Sequence, residues 1–291
     1  MVDTLTAPAP AKVNLTFEVL GARPDGYHEL RSVIQTLALA DTVTLRFGSE
    51  SPAIALSGPY AAGTPSGQDN LAWRAAVALA RRTGRTLEGL SLAIDKQIPP
   101  AGGLGGGASD GAATLRLLQR CWPGVSDNHV LAAANEVGSD EAALALGGTV
   151  LARGRGDLVS PLLLLPAHGV VLFLSAADGE GKTARMFARL AGLPPDDGAP
   201  TDALVRRLPG RISSADVYNR FDSVARDAFP GLAVLWDDLE RRIGEPVHLA
   251  GAGPTLFWIG EPARAATVAA RARASAATVV VTSTATSLWL R

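Results

Sequence analysis

Cysteine is almost missing from this chain of 291 residues, and Cys121 alone excludes an intramolecular disulfide or a cysteine-rich metal site. Histidine is scarce as well: His28, His129, His168 and His248 never stand three or four residues apart, so no zinc-ligand spacing is present. No excess of one charge exists, since 27 basic residues meet 28 acidic ones. Bulk electrostatics therefore gives no reason to expect nucleic acid or an anionic membrane as partner. Uninterrupted apolar runs are also lacking. The uncharged stretch from Leu158 to Ala177 has nearly the length of a membrane span, but Pro161, Pro166 and Gly169 break it, and two buried strands around a turn are expected instead. A second uncharged run, Ala274 to Leu290, is rich in Val and Thr and predicts terminal strands. The opening Met1 to Leu5 carries neither the basic nor the apolar region of a signal peptide, so a cytoplasmic globular protein is expected.

The rarest informative residue is lysine. Only Lys12, Lys96 and Lys182 occur, against 24 arginines. Where arginine is the default surface cation, a lysine marks a place that suits a compact, rotatable ammonium better than a planar guanidinium. Three leftover surface lysines are the alternative.

What is present is a packed, alternating chain. At 47% hydrophobic residues it can bury a core, and its length allows two modest domains or one large one. The segment Ala11 to Leu20 alternates like a strand, Asp25-Gly-Tyr-His28 reads as a turn, and Val33 to Phe47 as one or two strands. Leu71 to Thr83 has helical periodicity between an Asn70 N-cap and a Gly84 stop. Leu90 to Asp95 predicts a strand, Ala108 to Arg120 a helix, and Ser126 or Asp127 caps a further helix to about Val137. Gly147 to Ala152 returns to strand. Beyond, Leu232 to Ile243 and Pro262 to Arg273 are amphipathic helices among the strands Val247 to Ala250, Thr255 to Ile259 and Thr278 to Thr282. Helices and strands alternating in both halves predict an α+β protein in layers, with a boundary placing residues 1–158 and 159–291 in separate domains.

Between a strand and a helix, the run from Pro99 to Ser109 holds five glycines in positions 102–107. Glycine lets the backbone approach a ligand closely, and free N–H groups leading into a helix N-terminus form a concave anion site. Ser109 and Lys96 add a hydroxyl and a charge at its edges, so a phosphate ligand is the natural reading. A dinucleotide fold fits poorly, because Cys121 to Asn128 holds a turn where a second strand ending in an acid should lie. A P-loop fits worse: Gly179-Glu-Gly-Lys-Thr183 would need its first glycine at position 176, which is Ala.

Several separated motifs together resemble the GHMP kinase superfamily: Pro10-Ala-Lys-Val-Asn-Leu15, Arg23-Pro-Asp-Gly-Tyr-His-Glu-Leu30, Pro99 to Ser109, Gly147 to Gly156 and Gly251-Ala-Gly-Pro-Thr255. The pairing of Lys12-x-Asn14 with Asp25-Gly-Tyr-His28 resembles the branch that acts on a cytidine diphosphate-linked methylerythritol. This resemblance implies two lobes with the active site in the cleft between them, and transfer of phosphate from ATP, with Mg²⁺, to the 2-hydroxyl of that substrate in isoprenoid precursor synthesis. It implies that Asp140 accepts or orients the hydroxyl proton while Lys12 beside it offsets charge, and that Asn14, two residues along the strand, faces the substrate with Lys12. Tyr27 and His28 would stack on and read the cytosine, with Phe187 as the opposing face. ATP would lie on Lys96, Pro99, Pro100, Ala101, Gly102, Gly103, Leu104, Gly105, Gly106, Gly107, Ala108 and Ser109. No protein metal ligand is implied, and a monomer or weak homodimer is expected.

The chain departs from the family pattern in three places. Ala108 stands where a serine is usual, Ser139 replaces an alanine, and Glu141-Ala-Ala-Leu144 replaces a Val-Pro-aromatic run. Glu141 sets a second carboxylate next to Asp140, either raising its pKa or facing water. Two other readings stay open on these grounds: a superfamily kinase for another small alcohol such as mevalonate or homoserine, and a catalytically silent nucleotide-binding regulator.

Overall fold

A hairpin of two 19-residue strands is the spine of this computed structural model, which describes residues 4–48, 53–175 and 181–285. Strand β1 (Thr4–Ala22) runs antiparallel to β2 (His28–Arg46), and the turn between them places Gly26 at φ +84°. Both strands exceed the lengths expected from alternation, because β2 has a different second neighbour along each half. Its C-terminal half pairs with β4 (Ser91–Asp95), itself parallel to β3 (Ala53–Ser57), and its N-terminal half with β5 (Thr149–Gly154). Register shifts between Pro10 and Lys12 and between Asn14 and Thr16 place bulges on either side of the Lys12–Asn14 segment, where a bulge re-aims side chains. Strand β6 (Leu158–Pro161) joins β5, and β8 (Tyr218–Asn219) joins β1, completing seven strands.

Four helices cover this sheet: α1 (Leu71–Thr83), α2 (Gly106–Cys121), α3 (Asp127–Val137) and α4 (Glu141–Leu146). Helix α1 ends as its sequence predicts, with the Asn70 side chain accepting from the Ala72 N–H at 2.9 Å and Gly84 at φ +65°. Ser126 caps α3. Val43, Leu45, Leu92 and Ile94 of the sheet pack against Leu79, Leu115, Leu118 and Val130 of the helices.

The second sheet has four strands in the order β11 (Thr278–Ser283), β7 (Gly169–Leu174), β10 (Leu256–Gly260), β9 (His248–Leu249). Its two faces follow the period of a strand. Val171, Phe173, Leu256 and Trp258 face α8 (Leu232–Ile243) and α9 (Ala265–Ala272), whereas Val170, Leu172, Phe257 and Ile259 pack against Val13, Leu15, Val33 and Leu37 of the hairpin. The two lobes therefore share an apolar core. Helices α5 (Lys182–Leu190), α6 (Ala199–Arg207) and α7 (Asp222–Ala228) complete the second half.

Because β6 still pairs in the first sheet, the chain passes between sheets over residues 162–168, just beyond the expected boundary at 158. The Leu158–Ala177 run forms β6 and β7, of which β7 is buried as expected whereas β6, at the edge of the first sheet, is not, with Leu158 58% exposed. The Ala274–Leu290 run forms β11; Ala176, Ala177 and the tail from residue 286 lie outside the described residues, as do Met1 to Asp3, Gly179 and Glu180. Among the described residues no helix is long and apolar enough to cross a membrane.

Candidate active site

Lys12 is the centre of the site. It lies between the two bulges of β1 with 4% exposure, and its backbone N–H donates to the Leu104 carbonyl at 2.8 Å, tying the strand to the glycine loop. Its ammonium donates to Asn14 Oδ1 at 2.9 Å and stands 3.3 Å from Asp140 Oδ2. Asn14 in turn donates to Ser32 Oγ at 2.8 Å, so the lysine's neighbour is itself fixed. Asp140 occupies the N-cap position of α4, yet its side chain makes no capping bond and is 40% exposed, which leaves the carboxylate available to the cleft.

Glu141 does not face water. It is 2% exposed, and burial, with the charge of Asp140 next, pushes its carboxyl up to about 7 against hydrogen bonds from the backbone N–H groups of Glu141 and Asp140. Gly138 makes room for it: a Cβ there would stand 2.6 Å from Glu141 Oε2.

The glycine loop is held by contacts that exclude side chains. A Cβ on Gly103 (φ +83°) would lie 1.8 Å from the Ala250 carbonyl oxygen, and one on Gly105 would lie 2.9 Å from Lys12 Cγ. Gly105 (φ +74°) leads into the N-terminus of α2, whose first backbone N–H groups have no intrahelical acceptor. The glycine turn Gly251-Ala-Gly253 closes on the same point, with a Cβ on Gly251 falling 3.1 Å from Lys12 Nζ. Sequence reasoning missed what holds this turn: Asn219 Nδ2 donates to the carbonyls of Leu249 and Gly251 at 3.0 and 2.8 Å. No local pattern around Asn219 marks it.

Two loop expectations change in kind. Ser109 does not line the cavity; its hydroxyl donates to the Pro10 carbonyl at 2.7 Å and it is 1% exposed, because the turn of α2 carries position 109 toward β1. Lys96 does reach the cavity wall, but its ammonium is held by the buried carboxylates of Asp41 and Asp110. Asp41 also accepts the backbone N–H groups of Gln97 and Ile98, so this cluster anchors the chain entering the loop. Burial pushes the Asp110 carboxyl up to about 7, against the pull of Lys96.

All three lysines meet at one cavity of about 410 Å³, lined by Lys12, Lys96, Lys182, Asp140 and residues Pro99 through Ala108. Lys182 opens α5, and its ammonium donates to the carbonyls of Ala101 and Gly253. Burial, followed by the charge of Lys12, lowers it to about 7 despite Asp140. The sequence signal for this position was the rarity of lysine.

The aromatic end is looser. Tyr27 is 50% exposed with the Arg155 guanidinium 5.0 Å from its ring centre. His28 stacks directly on Phe187, centroids 4.3 Å apart and planes at 13°, and Phe187 packs edge-on against Phe221. Phe187 and His28 are thus in contact with each other, with no gap for a base between them, so Phe187 backs His28 here and is not the opposing face of a clamp.

The sequence and the fold are similar to those of known kinases. The profile described as GHMP kinases N terminal domain matches residues 70–148. The 4-diphosphocytidyl-2-C-methyl-D-erythritol kinase of Dehalococcoides mccartyi is 37% identical, over 87% of this chain and 88% of its own. The chain belongs to this family of GHMP kinases. A crystal structure of a 4-(cytidine 5'-diphospho)-2C-methyl-D-erythritol kinase superposes with a TM-score of 0.78 at 29% identity, covering 96% of this chain and 99% of that one. The homoserine kinase of Cytophaga hutchinsonii, at 16% identity and a TM-score of 0.68 over 98% and 95% of the two chains, shares the two-lobed fold. The chain is accordingly an ATP-dependent kinase of the GHMP type.

Proposed function

We propose that this kinase phosphorylates the 2-hydroxyl of 4-diphosphocytidyl-2-C-methyl-D-erythritol, a step toward isoprenoid precursors, as a cytoplasmic monomer or weak homodimer. The observation that carries this reading is the Lys12–Asp140 pair, 3.3 Å apart in the glycine-loop cavity; Tyr27 and His28, with Phe187 behind His28, would receive the cytosine. The triphosphate would lie along the loop from Pro99 to Ala108, its oxygens accepting from the N–H groups at the start of α2. Asp140 takes the proton of the substrate hydroxyl as its oxygen bonds to the terminal phosphorus. The bridging P–O bond breaks, and its electron pair leaves with ADP. Lys12 offsets the charge gathered on the transferring group, and Asn14 holds the ammonium in line.

Mg²⁺ would arrive on the nucleotide and would supply neutralisation of phosphate charge there, without a dedicated protein cage. Asp140, exposed to the cavity, is the residue placed to meet it.

The Asp140 carboxylate also bears on the silent-regulator reading, since nothing caps or buries it. ADP release measured with and without the cytidyl substrate tests the proposal. Release that requires this substrate, is inhibited by cytidine diphosphate and is absent with homoserine or mevalonate is expected. Release supported by either of those alcohols, or no release at all, would overturn it.

A further inference from the structure

Lys182 is the one lysine whose ammonium has no carboxylate within 4 Å among the described residues. Lys12 has Asp140, and Lys96 has Asp41 and Asp110. Lys182 instead donates to two backbone carbonyls, Ala101 in the glycine loop and Gly253 in the glycine turn of the second lobe. A partly buried cation without a contacting counter-ion is costly unless an anion completes its surroundings. The cavity that Lys182 lines is the one fronted by the N-terminus of α2, and Lys12 and Asp140 are the charged groups it senses there.

The choice of residue fits the position. Arginine outnumbers lysine 24 to 3 in this chain, yet arginine is absent from all three ammonium positions of the cavity. A guanidinium is longer and has its donor directions fixed in one plane, whereas a compact ammonium can rotate its three donors onto the two carbonyls and a third acceptor within this confined position. Gly181, at φ +61°, turns the chain so that α5 begins with this side chain over the loop.

We propose that Lys182 is a further catalytic residue: two of its donors hold the glycine loop and glycine turn together, and the third contacts the non-bridging oxygens of the terminal phosphoryl group, supplying from the second lobe a positive charge that complements Lys12. This rests on the kinase reading above. The contact is to the phosphoryl group that moves, so it grows in importance as charge builds there, and it is made to ATP rather than to ADP.

The test uses the full chain and the variants Lys182→Met and Lys182→Arg. Binding of ADP and of a non-hydrolysable β,γ-imido ATP analogue is titrated separately, and kcat and KM are measured where turnover exists. Lys182→Met is expected to bind the triphosphate analogue about tenfold more weakly while ADP affinity changes less than twofold. Its kcat should fall about 10²-fold, with KM for the cytidyl substrate within threefold of the parent. Lys182→Arg should not restore kcat. Since burial lowers the ammonium to about 7 while Lys12 and Asp140 face it, triphosphate affinity should decline more steeply from pH 6.5 to 8.5 in the parent than in Lys182→Met, a difference in which the titrations of the ligand, Asp110 and Glu141 cancel. Equal losses for ADP and the analogue, or unchanged triphosphate affinity, would overturn the proposal and leave Lys182 a structural tie. A parent that releases no ADP but shows the selective triphosphate loss would sink the kinase reading and keep the phosphate contact.

Discussion

The glycine-loop cavity, here the phosphate end, and the aromatic cluster of Tyr27, His28 and Phe187, here the aromatic end, are built on opposite principles. At the phosphate end, backbone meets backbone so closely that side chains are excluded: Gly103 lies against the Ala250 carbonyl, Gly105 against Lys12, and Gly251 beside the lysine ammonium. At the aromatic end the parts are side chains on a turn and a short helix, with Tyr27 half exposed and His28 resting on Phe187. Charge stabilisation rewards fixed geometry, because donors that must reorganise lose their advantage as charge develops. Recognition of a base needs only flat surfaces at the right spacing, and stacking tolerates adjustment. The contrast predicts that damage at the phosphate end lowers turnover or breaks the fold, whereas damage at the aromatic end raises KM.

The largest effect should come from Asp140→Asn. Removing the proton acceptor is expected to lower kcat by about 10³-fold or more, in the range for loss of a general base. Affinity for the nucleotide without metal should stay within a few-fold, because the loop contacts do not involve this side chain. Single-turnover ADP release and nucleotide titration on the same variant check both halves; retained turnover removes Asp140 from the mechanism.

Gly103→Ala attacks the phosphate end through packing. The added methyl would meet the Ala250 carbonyl oxygen at 1.8 Å, at a φ of +83° that side chains rarely adopt, so the glycine loop must separate from the glycine turn. A loss of about 3 kcal/mol or more is expected in urea unfolding, with nucleotide affinity falling in parallel. Stability near the parent's would show that the two turns can part without harm.

Phe187→Ala is the matching test at the aromatic end. Phe187 backs the His28 ring, and one stacking surface for a base is worth about 1–3 kcal/mol, so loss of that support should raise KM for the cytidyl substrate about tenfold while KM for ATP holds. An equal rise in both would mean that Phe187 serves the shared core through Phe221 rather than the substrate.

The same division governs what the sequence made legible. Local signals were read correctly: both caps of α1, the limits of α8 and the glycine run opening a helix are decided by neighbours a few residues away. Convergence over long separations was not readable from local pattern. Asp140 is reached through the resemblance and not through any local pattern, since Asp127 and Asp157 are acids of the same local standing; the fold pairs those two with Arg116 and Arg155 and brings Asp140 to Lys12. Lys96 was expected on the nucleotide because it precedes the loop; the pairing of β2 with β4 brings Asp41 to it, and α2 brings Asp110. Ser109 was read by its proximity to the glycines, whereas helical rotation turns it under the loop. Lysine scarcity pointed to one place without knowledge of contacts, since all three lysines line the same cavity.

The smallest predicted effect concerns the departure at position 141, which sits at the phosphate end but touches stability rather than chemistry. The folded protein holds the Glu141 proton more tightly than the unfolded chain, since burial raises the carboxyl from 4.5 to about 7. Stability from this source is complete below pH 4.5 and is lost as pH rises through about 7. At 1.36 kcal/mol per pH unit the ceiling is about 3 kcal/mol, and relaxation around the charge, with Arg74 nearby, should leave roughly 1 kcal/mol. Glu141→Gln keeps the shape and stays neutral, so it should match the parent at pH 5 and exceed it in urea midpoint at pH 8. The pH trend of Asp110 is common to both proteins and cancels in the difference. If the gap between variant and parent does not widen from pH 5 to 8, the buried carboxylate is compensated when ionised, and the rigid end of the cleft tolerates a charge that its packing gives no sign of accommodating.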